Sequence, residues 1–217
     1  MKYLLVVLGG IFLAVSFSIE AAEVPVVTLS VNFEDTTTDN SGIKPVEAEN
    51  IRYVEGKTGK GIIVDKETVL SYPTKDLLTN KAGAIQFWFK PNWQPDEKQT
   101  RFILNDSESH LRLGKNEWGY IFFQMFRDDW KECLLLKVDI SKWKQNEWHF
   151  IRIEWDLEGQ SQLTVDSNTV KGWATLGESK FTLGTKMYIG SPPSKQASDK
   201  SANGIIDELQ FIMFKEK

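Results

Sequence analysis

Glu154, Asp156 and Glu158 alternate through the run EWDLE, and paired carboxylates are the working groups of glycoside hydrolysis. A retaining mechanism needs two carboxyl groups about 5–5.5 Å apart, one as nucleophile and one as acid/base. On a regular strand alternate residues share a face about 6.6 Å apart, so Glu154 and Asp156 can approach one another. The same stretch also reads as a polar hairpin turn. Asp156, Leu157, Glu158 and Gly159 break an apolar alternation that resumes at Leu163 and Val165.

Other reactive groups are few. His110 and His149 are the only histidines, and neither has a cysteine, histidine or paired carboxylate at metal-ligand spacing, which argues against zinc chemistry. There is no G-x-S-x-G elbow, no dinucleotide fingerprint and no complete phosphate loop, although GKTGKG at 56–61 superficially suggests one. Cys133, the single cysteine, sits in the apolar run ECLLL and reads as a buried inert thiol that can form no intramolecular disulfide. Asp207 would share a strand face with Leu209, Phe211 and Met213, and a carboxylate at the margin of an apolar face needs a partner. Trp93, Trp118, Trp130, Trp143 and Trp173 fall at loops or strand ends beside Asn, Asp, Lys or Gly. Exposed indole faces stack on sugar C–H surfaces, whereas covering a core edge is the plainer role for each. Trp130 has Arg127, Asp128 and Asp129 beside it, groups that hydrogen-bond hydroxyls.

The elements that must position these residues are strands. The run NEWHFIRIEWDLEGQSQLTVD at 146–166 reads as two strands and a tight turn. Further strands are expected at 26–34, 51–54, 60–64, 68–72, 83–90, 101–105, 109–113, 118–126, 132–138, 186–190 and 204–214, and only 75–80 looks briefly helical. The longest irregular stretch is 191–203, polar after Pro192 and Pro193. At 217 residues and 41% hydrophobic, the chain fits one domain with a sizeable core, and its eight tryptophans suit the inner faces of two packed sheets. A net charge of −4 with scattered basic residues argues against nucleic acid, anionic membrane and polyanion partners and permits a neutral ligand. Met1-Lys2-Tyr3 followed by an apolar stretch at 4–17 has the layout of a secretory signal and is short for a membrane span of about 20 residues. Residues 1–22 are therefore expected to be a signal, cleaved between 18 and 22, and 23–217 a single secreted domain with no membrane span.

The pattern W-H, alternating apolar residues, a D…G turn and L-x-V-D at 148–166 resembles the laminin-G-like branch of the concanavalin A-like jelly rolls. VNFE with DNSG at 31–42, GAIQFWFKP at 83–91, and YIG with GIIDELQF between 188 and 211 fit the resemblance in order. It implies an all-β fold, a two-sheet antiparallel jelly-roll sandwich with the terminal strand beside the first. Its core would bury Phe33, Phe87, Trp148, Ile153, Val165, Leu209 and Phe211, with Trp88 also a core or inner-face aromatic. In glucan hydrolases of similar fold the catalytic carboxylates precede the segment that resembles 149–166. Asn105-Asp106-Ser107-Glu108, where such a cluster should lie, does not reproduce it, so no catalytic residues are expected. The segment at 54–61 resembles a V-x-G-K-x-G turn rather than a phosphate loop. Related jelly rolls often join their first and last strands through a structural calcium ion. That resemblance makes Glu34 and Asp207, and less directly Asp39, the metal candidates. The function it implies is a secreted non-catalytic module recognising glycan or a surface polymer. The rival reading is a structural or adhesive domain that contacts another surface protein, with a glucan hydrolase third.

Overall fold

In the computed structural model of the chain, residues 24–193 and 199–215 are described. The expected signal at 1–22 lies outside them, as does 194–198 within the long polar loop. Among the described residues, fifteen strands form two antiparallel sheets. In the first, the order is β13 (Asn168–Gly172), β12 (Ser161–Val165), β11 (His149–Asp156), β6 (Ala82–Pro91), β15 (Gly204–Lys215), β4 (Lys60–Val64) and β3 (Tyr53–Glu55). The strand β1 (Val24–Val31) joins the same sheet by pairing with the C-terminal half of β15, while β4 pairs with its N-terminal half. The second sheet runs β10 (Glu132–Asp139), β9 (Tyr120–Phe126), β8 (Leu111–Lys115), β7 (Arg101–Asp106), β14 (Lys186–Ile189), β5 (Val69–Pro73) and β2 (Glu47–Glu49). This is the expected jelly-roll sandwich with first and last strands side by side.

Alternation explains the layers. In β11, His149, Ile151, Ile153 and Trp155 are buried while Phe150, Arg152, Glu154 and Asp156 are half-buried on the other face. The inner faces meet in one core, where Tyr72 of β5 packs edge-on to Phe211 of β15 at 6.2 Å between ring centroids. Each fully buried aliphatic or aromatic side chain there contributes about 1.5–3 kcal/mol. Phe33, Phe87, Ile153, Val165, Leu209 and Phe211 are all buried, as the sequence implied. Trp155 is enclosed too, its indole N–H donating to the Thr79 carbonyl at 3.0 Å.

Four expectations are corrected. Trp88 and Trp148 are not core residues: both are half-buried on the outer face of the first sheet, where Trp88 meets Phe150 edge-on at 5.6 Å. Lys57 covers the Trp88 ring and Lys90 covers that of Trp148. The stretch at 75–80 is a turn closed by Leu77 and Leu78 N–H bonds to the Thr74 carbonyl, and the left-handed backbone of Asp76 stops a helix from forming. A β-bulge between Asp207 and Gln210, with Glu208 at φ 53°, breaks the alternation of β15. Asp207 consequently pairs with outward-facing Trp88 and leaves the face of Leu209 and Phe211. Finally, β2 and β13 appear where no strand was expected, because EAE and NTVKG carry no apolar alternation.

Candidate functional site

One register line crosses the outer face of the second sheet. It runs Glu47, Ser71, Tyr188, Asn105, Arg112, Gln124 and Leu135, one residue from each of seven neighbouring strands. Ser71, Tyr188, Arg112, Gln124 and Leu135 each sit between buried apolar neighbours, as Arg112 does between Leu111 and Leu113, so the pleat turns the line away from the core. Phe102 and Phe122 flank the line on one side, packed edge-on at 6.3 Å, and Phe126 flanks it on the other. Beyond Phe126 the β9–β10 turn brings Trp130 to 5.0 Å from the His110 ring. At the opposite end Glu47, Tyr188, Thr68, Ser191 and Pro192 border a cleft of about 390 Å³.

The two ends of the line differ in how their polar groups are met. Glu47 accepts from Ser71 Oγ at 2.8 Å and pairs with Lys186 at 3.2 Å. The Ser71 hydrogen bond, together with Tyr188 and Lys186, holds the Glu47 carboxyl below its usual range. Tyr188 moves the other way, pushed up by burial and by the Glu47 charge. Toward the middle, partners run out. Among the described residues, four buried side-chain polar atoms lack a hydrogen bond: Asn105 Oδ1, Arg112 Nε, Ser191 Oγ and His149 Nε2. The first three belong to this face or its bordering cleft. Burial lowers the Arg112 guanidinium, which lies 4.7 Å over the Phe126 ring. The half-buried Arg112 guanidinium can bond a ligand's oxygen atoms, and the flanking aromatic rings can stack on a sugar ring.

The structure separates the five tryptophans singled out by sequence. Trp118, Trp130 and Trp173 are 69%, 57% and 65% exposed, whereas Trp93 and Trp143 are only 3% and 8% exposed. The buried pair cannot offer a face to a ligand. Trp93 stacks on Trp143 at 6.2 Å and donates to the Ala202 carbonyl, and Trp143 stacks on His149 at 3.7 Å. Trp118 and Trp130 lie at opposite ends of the β9–β10 hairpin, about 20 Å apart at strand rise, so they serve no common sugar ring. Trp173 stands at a third place, beside the trough between edge strands β10 and β13. Trp130 lies beyond Phe126 at one flank of the polar line, and Trp173 lines the trough that its last residue, Leu135, also borders. Sequence reading missed Arg112 and Asn105, for which the available signal was a polar residue alternating within apolar strands.

The metal candidates divide as well. Asp207 accepts from the Lys57 and Thr58 amides at 2.8 and 3.0 Å and from the Glu208 amide at 2.7 Å, and Glu34 accepts from the Lys60 amide at 3.0 Å. Both therefore grip the turn between β3 and β4. Burial raises Asp207, with the Glu34 charge adding to it. Asp39 stands apart, its carboxylate closing a local turn through the Ser41 and Ile43 amides. Among the described residues no three acidic, histidine or cysteine side chains converge for a metal. The donor set around Asp207 consists of amides, which suit a carboxylate clasp and do not fit a calcium shell. The carboxylates once weighed for catalysis are engaged too: Glu154 pairs with Arg152 at 2.7 Å, and Asp156 Oδ1 takes the Glu158 and Gly159 amides of its turn. Burial pushes the Cys133 thiol up to about 11, which leaves it protonated and inert.

A family model, Laminin_G_3, described as the concanavalin A-like lectin/glucanases superfamily, matches residues 65–212. The chain belongs to this family. Solved structures agree with the Laminin_G_3 fold. Domain 4 of AbnA, an extracellular GH43 arabinanase from Geobacillus stearothermophilus solved with arabinotriose, is 18% identical with a TM-score of 0.62, over 91% of this chain and 96% of that one. The ligand-binding domain of botulinum neurotoxin serotype D, solved with N-acetylneuraminic acid, is 16% identical with a TM-score of 0.67, over 87% and 47%. The binding domain of Paraclostridial Mosquitocidal Protein 1 is 14% identical with a TM-score of 0.64, over 88% and 49%. The chain thus spans about half the length of the toxin domains it matches. A search of curated proteins finds no sequence match. Among the described residues no helix is long and apolar enough to cross a membrane.

Proposed function

We infer that the chain is a secreted, non-catalytic glycan-binding module of the Laminin_G_3 family, with the outer face of the second sheet as its binding surface. The observation that carries this reading is the concentration of unmet buried polar atoms there: Asn105 Oδ1, Arg112 Nε and Ser191 Oγ. Buried polar groups in folded proteins are nearly always paired, so a cluster of unpaired ones supports a partner from outside the chain, either bound water or a ligand. Aromatic rings at Phe102, Phe122, Phe126 and Trp130 supply the apolar half of sugar recognition. Structural neighbours solved with arabinotriose and with N-acetylneuraminic acid support a sugar ligand by analogy of fold. The charged-then-apolar N-terminus supports secretion. Engagement of Glu154 and Asp156 in a surface ion pair and a turn supports the absence of hydrolysis.

A second reading has its own observation. A trough of about 540 Å³ between edge strands β10 and β13 is bordered by exposed Leu135, Val170 and Trp173, an apolar rim that suits a surface protein. A glycan array probed with wild type, Tyr188→Ala and Trp173→Ala separates the two. Glycan binding lost in Tyr188→Ala and kept in Trp173→Ala supports the polar face. An array blank for wild type, with or without calcium, overturns the glycan reading.

A further inference from the structure

The five arginines of the chain are Arg52, Arg101, Arg112, Arg127 and Arg152. Four have carboxylate partners: Asp65, Glu97, Asp129 and Glu154 respectively for Arg52, Arg101, Arg127 and Arg152. Arg112 has none among the described residues, although it is half-buried and its Nε is shut off from solvent without a hydrogen bond. Its neighbours do not supply the missing charge. Gln124, opposite on β9, donates instead to Glu132 at 2.5 Å. Asp106, the carboxylate that acts on Arg112 electrostatically, is fully buried and occupied by the Leu111 and Gly184 amides. Asn105, opposite on β7 and 3% exposed, leaves its own Oδ1 unmet and does not pair with the guanidinium. A guanidinium set 4.7 Å over the Phe126 ring, with no carboxylate of its own, is poised for a ligand that brings one.

We propose that the glycan recognised on this face carries a carboxylate, as a hexuronic acid does, and that the half-buried Arg112 guanidinium binds that carboxylate above the enclosed Asn105. The proposal rests on the glycan-binding reading and names the sugar class. One carboxylate per site fits better than a polysulfated chain. Arg112 is a single unpaired guanidinium, Lys186 on the same face is already held by Glu47, and the chain is acidic overall at −4. The overall charge that argues against a polyanion does not oppose a lone carboxylate meeting a lone arginine.

The test is calorimetry of the protein with trigalacturonic acid, its methyl ester, neutral galactotriose and a sulfated heparin trisaccharide. Wild type should bind the free acid about 10- to 100-fold tighter than the ester or the neutral sugar, the range for a charge-assisted hydrogen bond. Arg112→Gln should abolish that preference while keeping residual neutral binding. Asn105→Asp would place a carboxylate against Arg112 from within, so it should raise the melting temperature and remove acid binding together. Equal affinity for acid, ester and neutral sugar, with Arg112→Gln silent, would sink the proposal and leave the glycan reading standing. Preference for the sulfated probe, or no binding to any of the four, also overturns it, and a blank glycan array removes the glycan reading with it.

Discussion

The outer faces of the two sheets are built alike and finished differently. On the first, Arg152 pairs with Glu154 at 2.7 Å and donates to Gln86 at 2.7 Å, Gln86 donates to Gln210 at 2.8 Å, and Thr164 meets Thr169 at 3.0 Å. Lysines cover its half-buried indoles. On the second, an equally polar line holds Asn105 Oδ1 and Arg112 Nε, which no described residue hydrogen-bonds. Both faces carry arginine, amide and aromatic residues, so composition does not distinguish them. Satisfaction does. A face whose hydrogen bonds close on themselves gains little from a ligand, because any new contact must displace an existing one. A face with unmet groups has already incurred the desolvation cost that a ligand offsets.

The largest expected effect tests the core on which both faces stand. Leu209 is fully buried where β15 follows its bulge, and Leu209→Ala should cost about 2–5 kcal/mol in urea unfolding. A cost below about 1 kcal/mol would mean the bulge does not return β15 to the core and that the first face is drawn wrongly. Next in size is the Asp207 clasp at the edge of the first face. Asp207→Ala strands three amides, those of Lys57, Thr58 and Glu208, and should cost about 1–3 kcal/mol with glycan affinity unchanged. The wild-type melt should ignore chelator. A melting temperature that rises with calcium and falls with chelator would show instead that Asp207 and Glu34 hold an ion, as the family resemblance implied.

How far the sequence discloses all this depends on the range of the interactions. Strand positions follow local alternation, and β4 spans the 60–64 expected of it. Glu34 and Asp207 were paired by resemblance across most of the chain, and each accepts a backbone amide from the 57–60 segment. Trp93 and Trp143 look like surface residues because their sequence neighbours are polar. Their burial comes from a stack with His149 that no local pattern encodes. Trp88 misled in the opposite direction: its strand reads as apolar on both faces, and only the register opposite Phe150 and Asp207 reveals which face is outer. Arg112 was the least legible of all. Its importance lies in a missing partner, which emerges only after the pairing of β7, β8 and β9 fixes who its neighbours are.

A smaller effect is expected where the first face is cut at its ion pair. Arg152 and Glu154 are each about one-quarter exposed, so Glu154→Gln should change stability by about 0–1 kcal/mol. It should leave glycan binding as it was, and neither wild type nor variant should release reducing sugar from β-glucans. Sugar release that vanishes in Glu154→Gln would turn the closed face into an active site and reverse the comparison.

The smallest effect sets the two faces against each other in pH. Glu47, on the second face, has its folded pKa depressed by Ser71, Tyr188 and Lys186. The folded state therefore binds this proton less readily than the unfolded chain. The stabilisation is present above the ordinary glutamate value and is lost as pH falls through the depressed one. Asp207, on the first face, is raised by burial and by the Glu34 charge, and the sign reverses. Its folded state holds the proton more tightly, so its contribution is greatest at low pH and declines as pH rises from the ordinary aspartate value through the raised one. Glu47→Gln should thus flatten the acid limb of a stability–pH curve, and Asp207→Asn should remove the decline on the limb above it. With Glu47 about one-third exposed, solvent screening holds its share to about 0.5 kcal/mol or less. Urea titrations of both variants between pH 3 and about pH 7 would read the two slopes, a range set by ordinary carboxylate values. Slopes of the same sign would mean that one carboxylate does not sit in the surroundings described for it.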